Sequence, residues 1–439
     1  QGSLAGLNVI DFGHYYAGPM VGMLLADQGA TVIRIVKPGE PELREQQYRL
    51  LNRNKKLLTL DLKTDEGKAQ ALSLIEKADV VIENFRPGVM KRLGLDYAKV
   101  KESNPGLVYL SLPGFASTDK ERAPIQAWDG VIAAAAAMYE SHHLRKLLNF
   151  PPVYTWVPLT STFGAMHGAI AVMAALNTRE THGFGTVVEV PLVTAGLSLY
   201  GDCFIFKQGM MGPLRTAEND DSPVAIPEAM KPFEYEQQDS PAVQEKKLLG
   251  AITALLGGSA FYATADGKKI VFSAYNPSHA KSLYTALGIY KQLRREGYVN
   301  EGAWESTGLD TNLSGYGSTG LSAERHRHLK QMIAKEVKGK SALEWEAILE
   351  KFGVPCAVLR TRDQWLGLEP LLKSGVLTLM DNGQSVLTVS GRVADMSGPG
   401  GALINTCPRE PEVVDTKQLD ALFQRHAVKT LQRGQSKQR

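Results

Sequence analysis

Short apolar runs alternate with helical stretches along the first part of the chain, from residue 4 to residue 115. β-Branched and aliphatic residues dominate the short runs, which predict strands, and the longer stretches between them predict helices. Strands separated by helices at this interval indicate right-handed βαβ units and a mostly parallel, Rossmann-like sheet. The predicted strands are Leu7–Phe12, Thr31–Val36, Val80–Phe85 and Leu107–Leu112, and the predicted helices are Gly18–Gly29 and Asp65–Lys77.

An apolar segment from Ala165 to Leu176 consists mostly of small and aliphatic residues and has no acidic or basic side chain apart from a histidine. It predicts a helix that is buried on nearly every face. Gly183 and Gly185 are expected to end this helix, because glycine readily adopts the positive φ of a helix end. The β-branched run from Thr186 to Val190 then predicts another strand.

The last part of the chain indicates a smaller unit of mixed structure. The run that begins at Tyr262 contains Asp266 and Gly267, a dipeptide that favours a hairpin turn. The segment from Ser341 to Val358 predicts an amphipathic helix, which ends at Gly353 and is followed by a strand. We therefore expect an α/β fold with a Rossmann-like sheet, and the chain is long enough for one large domain with an insertion or for two domains.

The composition narrows the class of protein. The 439 residues can bury a large core, and 44% apolar and 22% charged residues are ordinary values for a soluble protein. The net charge of +3 is too small to indicate nucleic acid as a partner. Cys203, Cys356 and Cys407 lie far apart, which indicates neither disulfides nor a metal site and favours a reducing cytoplasm. We expect no membrane span, since no uninterrupted apolar stretch of about 18 residues occurs.

Ligands of parallel α/β sheets bind at the carboxyl ends of the strands, where this sequence carries glycine turns and cations. No GxGxxG follows the first strand, so a dinucleotide cofactor is not indicated. Basic side chains beside helix N-termini instead suit a phosphorylated ligand. The cations of this basic rim are Arg34, Lys37, Arg44, Arg53, Lys55, Lys56, Arg86, Lys91 and Arg92.

Several segments resemble the family III CoA-transferases, the CaiB/BaiF family, which includes formyl-CoA and carnitine CoA-transferases and α-methylacyl-CoA racemases. Leu4–Pro38 is similar to the opening strand, Ala-Gly-Pro turn, helix and second strand of the family, and Asp79–Leu95, reading DVVIENFRPGVMKRLGL, is the most diagnostic run. The helix ending at Leu176 and the turn from Arg179 to Gly185 also resemble the family pattern. The resemblance implies the family fold, which has a large Rossmann-like domain and a smaller α+β domain and in which two protomers interlock.

The resemblance also implies where CoA binds, because these segments hold the adenine and phosphates of CoA in the family. Two positions depart from the family pattern. Tyr16 stands where formyl-CoA transferases have Gln, and Val36 stands where most members have Glu. We therefore expect phosphate-side binding to be retained and acyl-side chemistry to be altered. The implied CoA-binding residues are His14, Tyr16, Ala17, Arg34, Lys37, Asn84, Phe85, Arg86, Met90 and Arg92.

The catalytic aspartate of the family is replaced by Ser161, which an ungapped count back from Gly183 places at that position. The family uses this carboxylate to form a mixed anhydride and then an enzyme thioester, whereas serine forms only an ester. His167 is interpreted as a packing residue of the same helix. Trp128 stands where the racemases have a catalytic His, which disfavours racemisation. Asp129 is interpreted as a helix N-cap.

The resemblance implies a CoA-transferase, or a subunit of one, that moves CoA between carboxylic acids, with acyl-CoA and a carboxylic acid as its ligands and no covalent cofactor. The alternative is a catalytically silent CoA-binding subunit that pairs with an Asp-bearing relative, as in benzylsuccinate CoA-transferase. A racemase or isomerase is a second alternative. The resemblance implies a homodimer or a heterodimer with a related subunit. No metal, nucleic acid or membrane is expected as a partner.

The resemblance also implies the order of the domains along the chain. It consists of a large CoA-binding domain over residues 4–205, a crossover over 206–259, a small domain over 260–335, a return to the large domain over 336–425 and a basic tail over 426–439.

Overall fold

The computed structural model describes residues 2–40, 46–139, 150–199, 234–244, 246–247, 260–274, 277–298, 323–369, 377–379, 385–387, 409–418 and 423. The chain divides into two compact units. The first comprises residues 1–138, 155–204 and 366–439, and the second comprises residues 139–154 and 205–365. Most of the predicted crossover and the whole predicted basic tail lie outside the described residues, as do Cys203, Cys407 and Arg44.

The first unit alternates strands and helices in chain order. Its strands are β1 (Asn8–Asp11), β2 (Thr31–Val36), β3 (Lys56–Thr59), β4 (Val80–Glu83), β5 (Val108–Ser111) and β6 (Thr186–Glu189). Its helices are α1 (Ala17–Asp27), α2 (Gln46–Leu51), α3 (Asp65–Ile75), α4 (Val89–Leu93), α5 (Tyr97–Val100), α6 (Asp129–Ala135), α7 (Leu159–His182) and α8 (Leu192–Ser198).

The strands of the first unit form a seven-stranded sheet, which is completed by a strand from the C-terminal part of the chain, Glu412–Val414. That strand pairs with β3, and the order continues β3-β2-β1-β4-β5-β6, with every neighbouring pair parallel. This is the order of a doubly wound sheet, in which the chain reverses its direction of travel between β1 and β4. The prediction of an α/β fold with a mostly parallel sheet is confirmed.

Both faces of the sheet are covered, which explains why its central strands read as continuous apolar runs. Val9 and Val80 lie in one core cluster with Val172 of α7. Ile10 lies in the opposite cluster with Leu74 of α3. Because neighbouring residues of a strand point to opposite faces, every position of β1 and β4 is buried.

Helix α7 differs from the prediction of burial on nearly every face. Its buried stripe includes Gly164 and Gly168, which allow Leu192 and the sheet to approach closely. On the opposite face, Met166, Ile170 and Met173 are 40%, 67% and 43% exposed. The helix is therefore apolar all round but packed on one side within this chain, and its spacing exposes a hydrophobic stripe.

The second unit contains a three-stranded antiparallel sheet with the order β7-β8-β9. The hairpin predicted at Asp266–Gly267 is confirmed, since β7 and β8 flank it and Gly267 has φ 73°. The strands are β7 (Ala260–Ala263), β8 (Lys269–Phe272) and β9 (Cys356–Val358), and the helices are α9 (Pro277–Ala286), α10 (Tyr290–Arg295), α11 (Ala323–Val337), α12 (Ala342–Lys351) and α13 (Arg362–Leu366).

The boundaries of the units differ from those expected from the sequence. Residues 336–365 belong to the second unit, because β9 pairs with β8 and Trp345 and Leu349 of α12 lie in the core of that unit. The return to the first unit therefore falls at Leu366 rather than at residue 336, and residues 139–154 leave the large domain.

Later in the chain, β10 (Leu377–Leu379) and β11 (Ser385–Leu387) form an antiparallel pair, and Glu412–Val414 is β12.

Candidate functional site

The loops after β1 and β4 meet at the point where the strand order reverses, which is where doubly wound sheets bind ligands. Asn84 joins the two loops through both ends of its amide. Its Oδ1 accepts a hydrogen bond from the His14 backbone N–H at 2.6 Å, and its Nδ2 donates to the His14 carbonyl oxygen at 2.8 Å. The Asn84 amide therefore fixes the shape of the first loop at the carboxyl edge.

The His14 ring lies against Phe85, with an edge-to-face contact and a centroid distance of 5.0 Å. The pKa of His14 is lowered to about 4, chiefly by burial and also by the positive charges of Arg34 and Lys37, against the opposing effect of Glu40. His14 is consequently neutral near pH 7. It can offer an aromatic face or a ring nitrogen to a ligand, but not a positive charge.

Tyr15 and Tyr16 shape the entrance to α1. Tyr15 has φ 60°, and its exposed ring contacts Trp128 at a centroid distance of 4.4 Å. Tyr16 is the N-cap residue of α1 without a capping side-chain bond, and Ala17 is buried at the start of the helix. The first turn of α1 carries no acidic residue, so its positive dipole end is available to an anion at the carboxyl edge.

The basic residues of the implied CoA site differ in their environment. Arg34 is fully buried and pairs with Glu40, whereas Lys37 is exposed at the end of β2. Arg86 is exposed and donates to the carbonyl oxygen of Pro124 at 3.1 Å. Arg92 is exposed in the last turn of α4. Lys37 follows β2, and Arg86 and Arg92 follow β4, on the same edge of the sheet as His14 and Asn84, whereas Arg34 lies within β2.

Met90 has a different place from the other implied CoA-binding residues. It is 5% exposed and belongs to the core cluster that contains Leu74 and Leu95. Its packing anchors α4 below the Asn84–Phe85 loop rather than presenting a side chain at the surface.

Besides Arg34, two more cations of the predicted basic rim are buried in internal ion pairs. Lys55 donates to Asp11 Oδ2 at 2.9 Å, to the Pro19 carbonyl oxygen at 2.7 Å and to Asn52 Oδ1 at 3.0 Å. Burial lowers the pKa of Lys55 to about 8, although Asp11 opposes this shift. Arg53 pairs in the same way with Asp27. Arg53 and Lys55 are therefore structural supports of the edge and not surface cations, which corrects their assignment to the rim.

Gly22 of α1 makes room for this support. A Cβ atom at Gly22 would lie 2.6 Å from Asp11 Oδ2 and 3.1 Å from Lys55 Nζ. The Asp11–Lys55 pair thus needs a glycine on the facing turn of α1, which accounts for a residue that otherwise lowers helix stability.

Glu83 is a site residue that the sequence analysis did not single out. It ends the buried strand β4, and its Oε2 accepts the Phe85 backbone N–H at 2.7 Å. Burial raises the pKa of Glu83 to about 7, and the negative charge of Glu189 adds to this, whereas hydrogen bonds with Ser111 and Phe85 oppose it. An acid in the last position of an otherwise apolar strand was the signal available in the sequence.

Ser161 is buried in the first turn of α7. Its backbone N–H donates to Asp129 Oδ1 at 2.7 Å, and the Thr160 hydroxyl donates to the same oxygen at 2.6 Å. Pro158, the N-cap residue of α7, has no side-chain oxygen that could make these bonds. Asp129 therefore caps α7, and the prediction that it caps its own helix is wrong, because Trp128 is the N-cap residue of α6.

The start of α7 also lies beside the loop after β1. The Thr162 hydroxyl is 3.5 Å from the Tyr16 hydroxyl, and the Phe163 ring is 6.4 Å from the His167 ring. The second contact agrees with the packing role interpreted for His167. Among the described residues, no cluster of three His, Cys, Asp or Glu side chains could hold a metal ion.

The edge of this doubly wound sheet carries the Asn84–His14 hydrogen bonds, the N-terminus of α1 and several cations. Edges of this kind suit anionic, nucleotide-like ligands in doubly wound folds. The chain belongs to CoA-transferase family III, which matches residues 4–234 and 237–410. The resemblance inferred from the sequence is thereby confirmed.

Three comparisons describe its relatives. The chain is 32% identical over 428 residues to the CoA-transferase/lyase DddD of Marinomonas sp., covering 93% of this chain and 48% of the relative. It is 30% identical over 399 residues to the probable fatty acyl-CoA transferase Rv3272 of Mycobacterium tuberculosis, covering 88% and 90%. The crystal structure of Rv3272 superposes with a TM-score of 0.68 at 24% identity, over 96% and 99% of the two chains, and supports the fold. The chain spans about half the length of the first two curated relatives it matches.

Proposed function

We propose that this chain is a CoA-transferase that acts on CoA thioesters of carboxylic acids and transfers CoA from one acid to another. The observation that carries the proposal is the pair of Asn84 hydrogen bonds that joins the loops of β1 and β4 at the reversal of the strand order. The family membership supports it, and relatives named succinyl-CoA:mesaconate CoA-transferase and succinyl-CoA–D-citramalate CoA-transferase carry out this class of reaction.

In this proposal, the adenine of CoA lies against the neutral ring of His14 and the exposed part of Phe85. The phosphates are held by Lys37, Arg34 and Arg86, together with the first-turn N–H groups of α1 that begin at Ala17. The remaining implied residues, Tyr16, Asn84, Met90 and Arg92, shape or support this cradle. The pantetheine arm then leads toward the start of α7, beside Tyr16 and Thr162.

The transfer itself needs a carboxylate. A carboxylate oxygen attacks the thioester carbonyl carbon, the C–S bond breaks, and CoA leaves as a thiolate, which then attacks the enzyme carbonyl of the mixed anhydride and releases the first acid. The carboxylate of an acceptor acid then attacks the enzyme thioester and releases CoA thiolate, which attacks the acyl carbonyl of the new anhydride. The products are the new acyl-CoA and the free enzyme carboxylate. Ser161 cannot form the anhydride. Asp129 is the carboxylate that accepts a hydrogen bond from the Ser161 backbone N–H, and the same Oδ1 atom caps α7.

Because Asp129 is occupied in capping α7, a second candidate function follows. In this candidate, the chain is a CoA-binding unit, and a second family III unit supplies the attacking carboxylate. The replacement by Ser161 favours this candidate, as does the length of DddD, about half of which this chain covers. A relative named as the alpha subunit of succinyl-CoA–L-malate CoA-transferase is also consistent with it. Racemisation is disfavoured, because Trp128, whose ring contacts Tyr15 at a tilted angle, has a side chain that cannot exchange protons near neutral pH.

Both candidates include a dimer, with either a second copy or a related subunit, interlocked as the family resemblance implies. The exposed stripe of Met166, Ile170 and Met173 on α7 supports a contact with another chain. Helix α7 is long and apolar enough to span a membrane by length and composition, but it packs against α1, α8 and β5, as the core helix of a soluble protein does. We propose a cytoplasmic protein without a metal, nucleic acid or membrane partner.

A turnover assay on the purified chain tests the proposal. The chain is incubated with succinyl-CoA and a panel of short carboxylic acids, and new CoA thioesters are measured by mass spectrometry. New thioesters support a complete transferase. Binding of CoA without new thioesters supports the second candidate, in which case Ser161→Asp alone also remains inactive. A chain that neither binds CoA nor forms thioesters contradicts both.

A further inference from the structure

The guanidinium group of Arg34 is buried but incompletely paired. The Arg34 side chain has no exposed surface. Nη1 donates to the Ile35 carbonyl oxygen, and Nη2 lies 3.3 Å from Glu40 Oε1, which is long for a charge-assisted hydrogen bond. Nε has no hydrogen-bond partner in the described part of the chain. Buried unpaired donors are rare and call for a physical explanation.

Glu40 contacts a second donor beside Arg34. Its Oε2 accepts the Lys37 backbone N–H at 3.1 Å, so one carboxylate bridges a guanidinium and a backbone N–H. Gly39 has φ 71°, which lets the chain turn back so that the Glu40 side chain reaches into the strand end. A guanidinium and a backbone N–H at the end of a parallel strand are donors of the kind that hold a phosphate.

Among the residues that the structure describes, the charged groups beside Glu40 are mostly positive. Arg34 and the exposed Lys37 are the cations near it, His14 is neutral, and Asp11 is engaged by Lys55. A phosphate monoester carries more negative charge than a carboxylate and has three acceptor oxygens rather than two. It could therefore accept from Nη2, from the Lys37 N–H and also from Nε, which the carboxylate of Glu40 leaves unpaired.

We propose that Glu40 is an internal substitute for a phosphate group of the ligand: it occupies the Arg34–Lys37 donors and withdraws when a phosphate binds. The inference rests on the proposed function, because it assigns the phosphate to CoA. It makes Glu40 a specificity-determining residue. A free carboxylic acid offers these donors no more than Glu40 already does, whereas a phosphate offers an additional acceptor, so the acid substrates of the reaction are kept out of this part of the cradle.

The test is the affinity of Glu40→Gln for CoA, measured by calorimetric titration. Glutamine keeps the length of the side chain and an acceptor oxygen but removes the charge that competes with phosphate. In the unchanged chain, only the molecules in which Glu40 has left the Arg34–Lys37 donors can bind the phosphate, so the apparent affinity for CoA is lowered by the fraction of such molecules. Glu40→Gln weakens the competing contact, and we therefore expect the variant to bind CoA about fivefold to tenfold tighter. Glu102→Gln, a neutralisation of an exposed carboxylate, is the matched control and should bind CoA as the unchanged chain does.

Pantetheine and the Glu40→Asp variant show whether a gain in affinity comes from the phosphate or from a general change in the CoA site. Pantetheine has no phosphate, so its affinity should be the same for Glu40→Gln and the unchanged chain. Glu40→Asp keeps the charge on a shorter side chain and should tighten CoA binding less than Glu40→Gln does. Unchanged or weaker CoA binding by both Glu40 variants, or an equal gain for pantetheine, would overturn the inference.

Inorganic pyrophosphate separates this inference from the proposed function. If no form of the chain binds CoA, the proposed function fails, and thermal unfolding with added pyrophosphate then decides the role of Glu40. A larger rise of the unfolding temperature for Glu40→Gln than for Glu102→Gln supports an anion site that Glu40 occupies. Equal rises, or none, contradict it.

Discussion

Replacing Glu83 by glutamine should stabilise the protein more strongly as the pH rises. Glu83 lies at the end of β4 with 6% of its surface exposed, and its carboxylate accepts the Phe85 N–H. Burial disfavours the charged form and raises its pKa from 4.5 to about 7. Glutamine keeps an oxygen acceptor for the Phe85 N–H but never becomes charged, so Glu83→Gln removes only the cost of burying a charge.

The sign and size of the effect follow from linkage. Between the unfolded value of 4.5 and the folded value of about 7, the folded protein holds more protons on Glu83 than the unfolded chain does. Stability therefore falls as the pH rises through this window and is lowest above it. A shift of this size corresponds to about 3 kcal/mol at pH 8 and to little below pH 4.5.

Hydrogen exchange of the β4 amide protons measures the relevant free energy, because it reports opening of the sheet itself. The comparison is made between the unchanged chain, Glu83→Gln and the exposed control Glu102→Gln, from about pH 5 to pH 8. Titration of His14 affects all three proteins equally and cancels in the differences. The reasoning is refuted if the advantage of Glu83→Gln over the control is the same at both ends of this range or is smaller at pH 8.

Two further substitutions test the supports of the site. Asp129→Ala removes the oxygen that caps α7 and should lower the free energy of unfolding by about 1–2 kcal/mol, whereas Asp119→Ala, which removes a partly exposed carboxylate that pairs with Arg122 three residues away, should have a smaller effect. Thermal unfolding followed by circular dichroism measures both, and equal losses would argue against the cap. Lys55→Met leaves Asp11 buried without its cation and should cost about 3–5 kcal/mol. Adding Asp11→Asn should recover part of that loss, and a double variant no more stable than Lys55→Met would contradict the pairing.

The parallel sheet could be predicted from the sequence because its strands leave a direct signal. β1, β2 and β4 are buried on both faces and read as short, mostly apolar runs between helices, although Arg34 lies within β2 and an acid ends β1 and β4. β12 left no such signal, since Glu412–Val414 is short and joins the sheet from a distant part of the chain. Its place depends on tertiary pairing with β3, which local pattern does not encode.

The candidate site was predicted in its outline but not in its pairing. The turns that contain His14, Lys37 and Asn84 could be placed at one edge, because parallel strands bring their carboxyl ends together. Which cations are enclosed could not be read from the sequence. The sequence around Arg34 and Lys55 does not indicate a partner for either cation, yet Arg34 forms a buried ion pair with Glu40 and Lys55 forms one with Asp11. The apolar residues of α7 similarly do not tell which stripe faces the sheet.

The most direct test of the central claim is calorimetric titration of the chain with CoA, alongside Lys37→Ala and Lys101→Ala. Both lysines are exposed, but only Lys37 lies at the carboxyl edge, after β2. The proposed CoA site predicts binding to the unchanged chain, binding about tenfold weaker to Lys37→Ala through loss of one phosphate contact, and no change for Lys101→Ala. The absence of CoA binding, or equal affinities for the two variants, would contradict a CoA site at this edge of the sheet.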